Sequence, residues 1–222
     1  MGIYINADDI AVALRQRTFS FKKYNISCDL NQLVVFANDS RLINTTFTES
    51  LFIDAFTLLD DQLILTNKAA LDAVAQIIAR FLRTKMLEKR ITFSFETVFS
   101  HPSNIDIMKE AVDAGYKVYL YMVCTESPEI NKYRVSYRVT QNGHNVPPNK
   151  IEERYYRSLD LMFPAAQLCY QAYFFDNSKE DSPFNLFAQF KKVNGKKEWD
   201  KIDKSDVPHW FIKYYSDKVE KK

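Results

Sequence analysis

A strand, a helix and a second strand follow one another across residues 91–123, and this succession constrains the fold more than any other feature. Residues 91–95 read I-T-F-S-F, a β-branched and aromatic run typical of a strand. Apolar residues then recur at helical spacing from Ile105 to Val112. Residues 117–123, K-V-Y-L-Y-M-V, are nearly all apolar, which predicts a strand covered on both faces. A right-handed βαβ crossover between parallel strands follows, and with it an α/β fold of three layers with a mainly parallel sheet.

Carboxylates follow two of the predicted strands at the points where those strands end. Glu96 comes directly after the strand that begins at Ile91, and Asp8 and Asp9 come shortly after a short strand at residues 2–5. Ligands of open α/β sheets bind outside the carboxyl ends of the strands, so these acids are candidates for one binding crevice. The alternatives are that Glu96 marks the strand's exit into solvent and that Asp8 or Asp9 caps the next helix.

Composition narrows the class of protein. The chain has 222 residues, 46% of them hydrophobic, enough for one domain or one domain with a small appendage. No run reaches the roughly 18 apolar residues of a membrane-spanning helix, and the first residues lack the order of a secretory signal. Three cysteines without metal-ligand spacing indicate a reducing, cytoplasmic compartment. A formal charge of +2 does not favour nucleic acid, and the lysine-rich end is expected to be a solvated tail.

Four arginines flank a proline-containing loop within residues 125–163. Arg134 and Arg138 are four residues apart, and Arg154 and Arg157 are three apart, so each pair shares one face of a helix. The functional interpretation is a lid that closes over phosphates, because the guanidinium fork binds phosphate oxygens in pairs. The alternative is a solvated helical surface whose arginines pair with nearby acids.

The remaining segments carry no motif with chemistry. Residues 50–65 suggest one or two short helices, and residues 67–88 suggest a longer one that covers the sheet. A strand pair is predicted to turn at Asn194-Gly195, and Trp210 and Phe211 are expected to pack in the interior.

Several short motifs stand in an order that resembles the zeta toxin family of small P-loop kinases. They are N-A-D-D-I-A at 6–11, F-E-T at 95–97, R-V-x-x-R-V at 134–139, N-G-H-x-V-P at 142–147, R-Y-Y-R-S-L at 154–159 and F-D-N-S at 175–178. The resemblance covers residues 3–178, with residues 18–66 matched poorly. It implies a kinase domain at residues 1–180 with a helical arginine lid at 125–163, followed by a C-terminal extension at 181–222.

The family resemblance also implies an activity. It is phosphoryl transfer from ATP or GTP, with Mg²⁺, to a small hydroxyl-bearing substrate such as a nucleotide-activated sugar. Asp8 would be the general base, and Glu96 and Thr97 would hold the acceptor and help to order the metal. The implied site residues form three groups: catalytic Asp8, Arg134, Arg138 and Arg154; substrate-binding Glu96, Thr97 and Ser100; and nucleotide-binding Asp176, Asn177, Ser178 and Arg157.

The sequence departs from the family at two places. Asn142 stands where the family usually has a second glycine, beside His144, which is expected to be a hydrogen-bonding loop residue. No two of the four glycines are five residues apart, so the phosphate-binding loop G-x-x-x-x-G-K-[ST] is missing. Three explanations are open: the sequence is truncated, it is a decayed relative without catalysis, or another chain supplies the loop. If the protein is a kinase whose phosphate loop is missing from this chain, the chain is expected to bind Mg-ATP poorly and to turn it over negligibly.

Two other classes of function stay open. The first is a non-catalytic interaction or nucleotide-binding protein, held by an antitoxin-like partner. The second is a nucleic-acid binder that uses its lysine-rich end, whose affinity would depend steeply on salt.

Overall fold

The computed structural model of the chain describes residues 2–16, 18–40, 42–141, 143, 145–180 and 182–220. Two residues discussed above, Asn142 and His144, lie outside these ranges. The chain divides into two compact units, Met1–Thr97 and Val98–Lys222, and each has its own hydrophobic core. The architecture is mixed α/β.

The first unit alternates short strands with helices. Its strands are β1 (Ile3–Ile5), β2 (Thr18–Ser20), β3 (Phe56–Leu59), β4 (Gln62–Leu65) and β5 (Phe93–Phe95). Its α-helices are α1 (Ala7–Arg15), α2 (Leu30–Asp39), α3 (Glu49–Ile53) and α4 (Leu71–Glu88), and single turns of 3₁₀-helix lie at Phe21–Tyr24 and Lys68–Ala70.

Helix α4 organises the core of the first unit. One of its faces buries apolar side chains at helical spacing, including Val74, Ile78 and Leu82, all with no exposed surface. Phe81 on the same helix meets Phe21 edge to face, with ring centroids 5.8 Å apart. Full burial of each side chain of this size stabilises the folded unit by about 1.5–3 kcal/mol, so this face contributes strongly to its stability.

The second unit contains the longest strand and the longest helix of the described residues. Its strands are β6 (Tyr119–Cys124), β7 (Gln171–Asp176), β8 (Asn185–Val193) and β9 (Lys196–Trp199). Its helices are α5 (Ser103–Asp113), α6 (Pro128–Thr140), α7 (Pro148–Leu168), α8 (His209–Phe211) and α9 (Asp217–Glu220), with a 3₁₀ turn at Lys204–Asp206 and a π-helical segment at Ile212–Ser216.

An aromatic cluster forms the core of the second unit. Phe174 has no exposed surface and lies 4.9 Å, between ring centroids, from Phe211 and 6.1 Å from Trp199. Trp210 is 2% exposed and Phe211 is 4% exposed, which confirms that this pair packs in the interior.

The expectation of a mainly parallel sheet is wrong for the strand pairs that the structure describes. Parallel pairing occurs between β1 and β5 and between β6 and β7, whereas β2-β4-β3 and β7-β8-β9 are antiparallel. For β3-β4 and for β8-β9 the physical reason is the tight turn that joins the two strands. Asp60, Asp61, Asn194 and Gly195 all have positive φ, which closes a short hairpin and so makes the strands on either side antiparallel. The turn at Asn194-Gly195 confirms the strand pair predicted there.

Two further expectations need correction. Residues 56–65 form the β3–β4 hairpin rather than a helix. Strand β6 is covered on one face only, because Tyr119 and Tyr121 are 50% and 63% exposed while their neighbours are buried. The predicted C-terminal extension at residues 181–222 contains β8, which pairs with β7 along six residues and continues the same sheet.

Candidate functional site

The first unit brings its polar strand ends to one edge of a parallel pair. β1 and β5 are in register with Ile5 opposite Phe95, so Glu96 and the segment that begins at Asn6 leave the sheet side by side. Asp8 follows in the first turn of α1, and both Asp8 and Glu96 are exposed. We call Tyr4, Asn6, Asp8 and Glu96 the acidic edge.

Hydrogen bonds connect most members of the acidic edge. The Tyr4 hydroxyl donates to Glu96 Oε2 at 2.8 Å, and Asn6 Nδ2 donates to the Tyr4 hydroxyl at 3.1 Å. The bond to Glu96 raises the pKa of Tyr4 above its usual value, because the phenol must keep its proton to donate. Asn6 Oδ1 accepts from the Asp8 backbone N–H at 2.8 Å, so Asn6 rather than Asp8 caps α1. The Asp8 carboxylate is therefore not used as the cap.

The two other predicted acceptor residues follow Glu96 along the chain. Thr97 is exposed and ends the first unit, and Ser100 is half-buried and belongs to the second. Between them Phe99 is buried with φ of 57°, a conformation that a bulky side chain rarely adopts.

Three of the four lid arginines differ in their contacts and in their exposure. Arg134 on α6 is half-buried, and its Nη2 donates to the Lys179 backbone oxygen at 3.2 Å. On α7, Arg157 forms an ion pair with Glu153 at 2.9 Å, four residues earlier on the same helix, and Arg154 is exposed. Arg157 thus has the acidic partner that the alternative interpretation called for.

Arg138 lies one helical turn after Arg134 on α6 and is exposed. An ion pair also joins the two lid helices: Lys132 Nζ lies 2.6 Å from Glu152 Oε2, and this contact raises the pKa of Lys132. The predicted helical hairpin is present.

The polar residues after β7 divide into internal and outward-facing groups. Ser178 Oγ donates to Asp176 Oδ1 at 2.7 Å and accepts from the Glu126 N–H at 2.8 Å. Trp210 Nε1 donates to the same Asp176 oxygen at 3.3 Å. Asp176 and Ser178 therefore tie the ends of β6 and β7 together, although the resemblance gave them a nucleotide. Asn177 is the one of the three that faces an open space.

That open space is a cleft of about 660 Å³ between α6 and the segment after β7. The residues that line it come from α6, namely Tyr133, Arg134 and Tyr137, and from the segment after β7, namely Asn177, Lys179, Glu180, Ser182 and Pro183. We call this space the α6 cleft. Its volume lies within the range of small-molecule sites.

Two of the residues that line the α6 cleft carry aromatic rings. Tyr133 and Tyr137 are 57% and 60% exposed and stand four residues apart, so both rings project from one face of α6. Sequence reasoning found Arg134 and Asn177 but missed the tyrosines, Lys179 and Glu180. The available signal was two tyrosines at helical spacing within an otherwise polar helix.

No metal cage accompanies these sites. Within the described part of the chain, no group of three or more histidine, cysteine, aspartate or glutamate side chains is placed to hold a metal ion. Nucleotide enzymes usually bind Mg²⁺ through one or two carboxylates, and phosphate and water oxygens complete its shell. A single carboxylate, such as that of Glu96, is compatible with this kind of site.

No protein-family model, curated protein or solved structure matches the chain. Along the described ranges, none of the helices combines the length and apolar character that crossing a bilayer requires.

Proposed function

We propose that this chain is part of an ATP- or GTP-dependent phosphotransferase of zeta toxin type, with a P-loop kinase-like core, and that the α6 cleft binds its nucleotide. The acceptor would be a small hydroxyl-bearing molecule such as a nucleotide-activated sugar. The observation that carries the proposal is the α6 cleft itself, which is lined by two tyrosines, one arginine and one asparagine among its residues.

The chemistry of the α6 cleft suits a nucleotide better than a purely apolar or a purely anionic ligand. Tyrosine rings stack on nucleobases, and such stacking contributes about 1–3 kcal/mol per base. Arg134 uses one nitrogen on the Lys179 carbonyl, and its guanidinium carries further donors that suit phosphate oxygens.

The acidic edge, taken by itself, offers groups that suit an acceptor hydroxyl. In the reaction that the family resemblance implies, the exposed Asp8 carboxylate would take the proton of that hydroxyl, and Glu96 and Thr97 would hold the acceptor. The hydroxyl oxygen would form a bond to the terminal phosphorus, the bond from that phosphorus to the bridging oxygen would break, and the nucleoside diphosphate would leave. The same resemblance assigns the charge of the transferred group to Arg134, Arg138 and Arg154, an effect that reaches about 10³–10⁵ in rate for a well-placed arginine.

Magnesium, when bound, would neutralise phosphate charge, and Glu96 is the side chain that would contribute to its shell. The 222 residues contain no phosphate loop, so we expect this chain to bind nucleotide weakly, with dissociation constants on the order of millimolar, and to transfer phosphate negligibly.

Saturation-transfer NMR of ATP and GTP against the full chain tests the proposal. We expect signal transfer to the base protons, and we expect Arg134→Gln to weaken binding several-fold because it removes charge from the cleft. Lys109→Gln is the matched control, since it removes a positive charge from an exposed position on α5. If neither nucleotide receives signal at millimolar concentration, or if both variants weaken binding equally, the assignment of the cleft is wrong.

A second candidate function is a non-catalytic nucleotide-binding protein held by an antitoxin-like partner. The ion pair between Arg157 and Glu153 favours it, because it gives one of the predicted lid arginines a partner within the chain instead of a phosphate. Phosphorus NMR of the chain with Mg-GTP and candidate sugars separates the two, because nucleotide binding without any transfer of phosphate favours this second function.

A further inference from the structure

We propose that the α6 cleft selects guanine over adenine, so that GTP rather than ATP is the nucleotide it takes. The inference rests on the proposed function and adds the identity of the base. It stands on three residues of one short segment, Asn177, Lys179 and Glu180, which line the same cleft as Tyr133 and Tyr137.

The segment that would read the base is anchored at two points. The Asn177 N–H donates to the Cys124 carbonyl at 2.7 Å, and Arg134 donates to the Lys179 carbonyl at 3.2 Å. These bonds fix the backbone on both sides of Ser178 and attach it to β6 and α6. The three side chains therefore start from positioned backbone.

The donor and acceptor pattern of the segment complements guanine. Guanine presents two adjacent donors on its Watson–Crick edge, N1–H and the N2 amino group, and two acceptors, O6 and N7. The Glu180 carboxylate accepts two hydrogen bonds at once, which matches the donor pair. Asn177 Nδ2 and the Lys179 ammonium are donors, which match O6 and N7.

Adenine meets the same groups with the wrong pattern. Adenine N1 carries a lone pair and no hydrogen. In the place of guanine N1–H it would face a Glu180 oxygen with that lone pair, and the oxygen would have no hydrogen-bond donor. A polar site discriminates strongly against a ligand that leaves its groups unpaired. Because Glu180 is exposed, water reduces the penalty, and we expect a preference for GTP of about tenfold.

Glu180→Gln is expected to affect the affinities for GTP and for ATP differently. The glutamine amide accepts one hydrogen bond and donates one, which is the pattern that adenine's N6 amino group and N1 require. We expect this variant to lose about tenfold in affinity for GTP and to bind ATP at least as well as the parent chain. A residue with a merely structural role would weaken both nucleotides together.

The experiment is a saturation-transfer titration of the full chain with GTP, ATP and inorganic triphosphate. Glu198→Gln, which changes an exposed carboxylate on β9, is the matched control and should keep the parent preference. Preference for GTP in the parent and its loss or reversal in Glu180→Gln support the inference. Equal binding of ATP and GTP, or an unchanged preference in Glu180→Gln, overturns guanine selection while nucleotide binding stands. If triphosphate binds as well as both nucleotides, no base is read, and the proposed nucleotide site fails with it.

Discussion

The acidic edge and the α6 cleft both lie beside the ends of parallel strands, yet their polar groups are used differently. At the acidic edge, Tyr4 and Glu96 bond to each other and the Asp8 carboxylate stays exposed. Beside the cleft, Asp176 and Ser178 are bonded inside the fold, and the outward surface comes from α6 and from Asn177, Lys179 and Glu180. A polar residue at a strand end is therefore a candidate for ligand binding only if its side chain is not already bonded to other residues of the fold.

Thiol reactivity gives the largest expected effect and compares the cores of the two units. Cys28 lies in the first core, and Cys124 and Cys169 lie in the second. Burial raises the pKa of each thiol to about 12. At pH 8 an ordinary thiol is about one-quarter thiolate, so we expect these cysteines to react with Ellman's reagent about 10³-fold more slowly than in the unfolded chain.

Three variants, each retaining a single cysteine, would measure the two units separately. A thiol that reacts at the unfolded rate would show that its unit opens readily, and the cores would then not be equivalent. The raised pKa values also fix the sign of the pH dependence. The unfolded thiols ionise first, so the folded chain should lose stability as the pH rises from about 8.5 towards 12.

Asp176→Ala gives the next largest effect, because it decides between the internal and the ligand-binding role of that carboxylate. The substitution removes the acceptor for Ser178 and Trp210, and hydrogen bonds to charged groups contribute about 1.5–3 kcal/mol each. Asp176 is only half-buried, so we expect the free energy of unfolding to fall by about 2 kcal/mol in total. Urea denaturation measures this change.

Asp113→Ala is the matched control for that measurement. Asp113 is exposed at the end of α5, and its removal should change the free energy of unfolding by less than about 0.5 kcal/mol. If Asp176→Ala behaves like this control and instead abolishes nucleotide binding, the carboxylate serves the ligand and the contrast between the two regions disappears.

Sequence reasoning recovered the elements whose signals are local. The helix at Leu71–Glu88 shows apolar residues at helical spacing over 18 residues, and the turn at Asn194-Gly195 has the residue types that positive φ requires. The β3–β4 hairpin was missed because its turn is Asp60-Asp61, where neither residue is glycine. A strong turn signal was therefore missing from the sequence.

The candidate sites were recovered unevenly for a related reason. Strand periodicity locates the residue at which a strand ends, and so Glu96 and Asp8 could be placed on one edge from the sequence. It does not show which side chains a distant element will bond. The contact between Trp210 and Asp176 spans 34 residues, and no local pattern signals it.

The smallest expected effect lies at the acidic edge, where Glu96→Gln should lower the pKa of Tyr4 towards its usual value. The Glu96 carboxylate raises that pKa mainly because it accepts a hydrogen bond from the phenol at 2.8 Å. Repulsion between the carboxylate and the phenolate is a smaller cause. Both groups are exposed, so we expect the free energy of unfolding to change by less than about 1 kcal/mol. A titration of ¹³C-labelled tyrosine by NMR follows the phenol directly.

Asp9→Asn supplies a graded comparison for that titration. Asp9 also raises the pKa of Tyr4, but only through its charge and as the weakest of the contributions. Its removal should therefore lower the pKa by less than Glu96→Gln does. If the two substitutions give equal shifts, the effect is one of general negative charge and not of the hydrogen bond. The acidic edge would then be a loose group of acids, and the bond between Tyr4 and Glu96 would no longer distinguish it from any other solvated strand end.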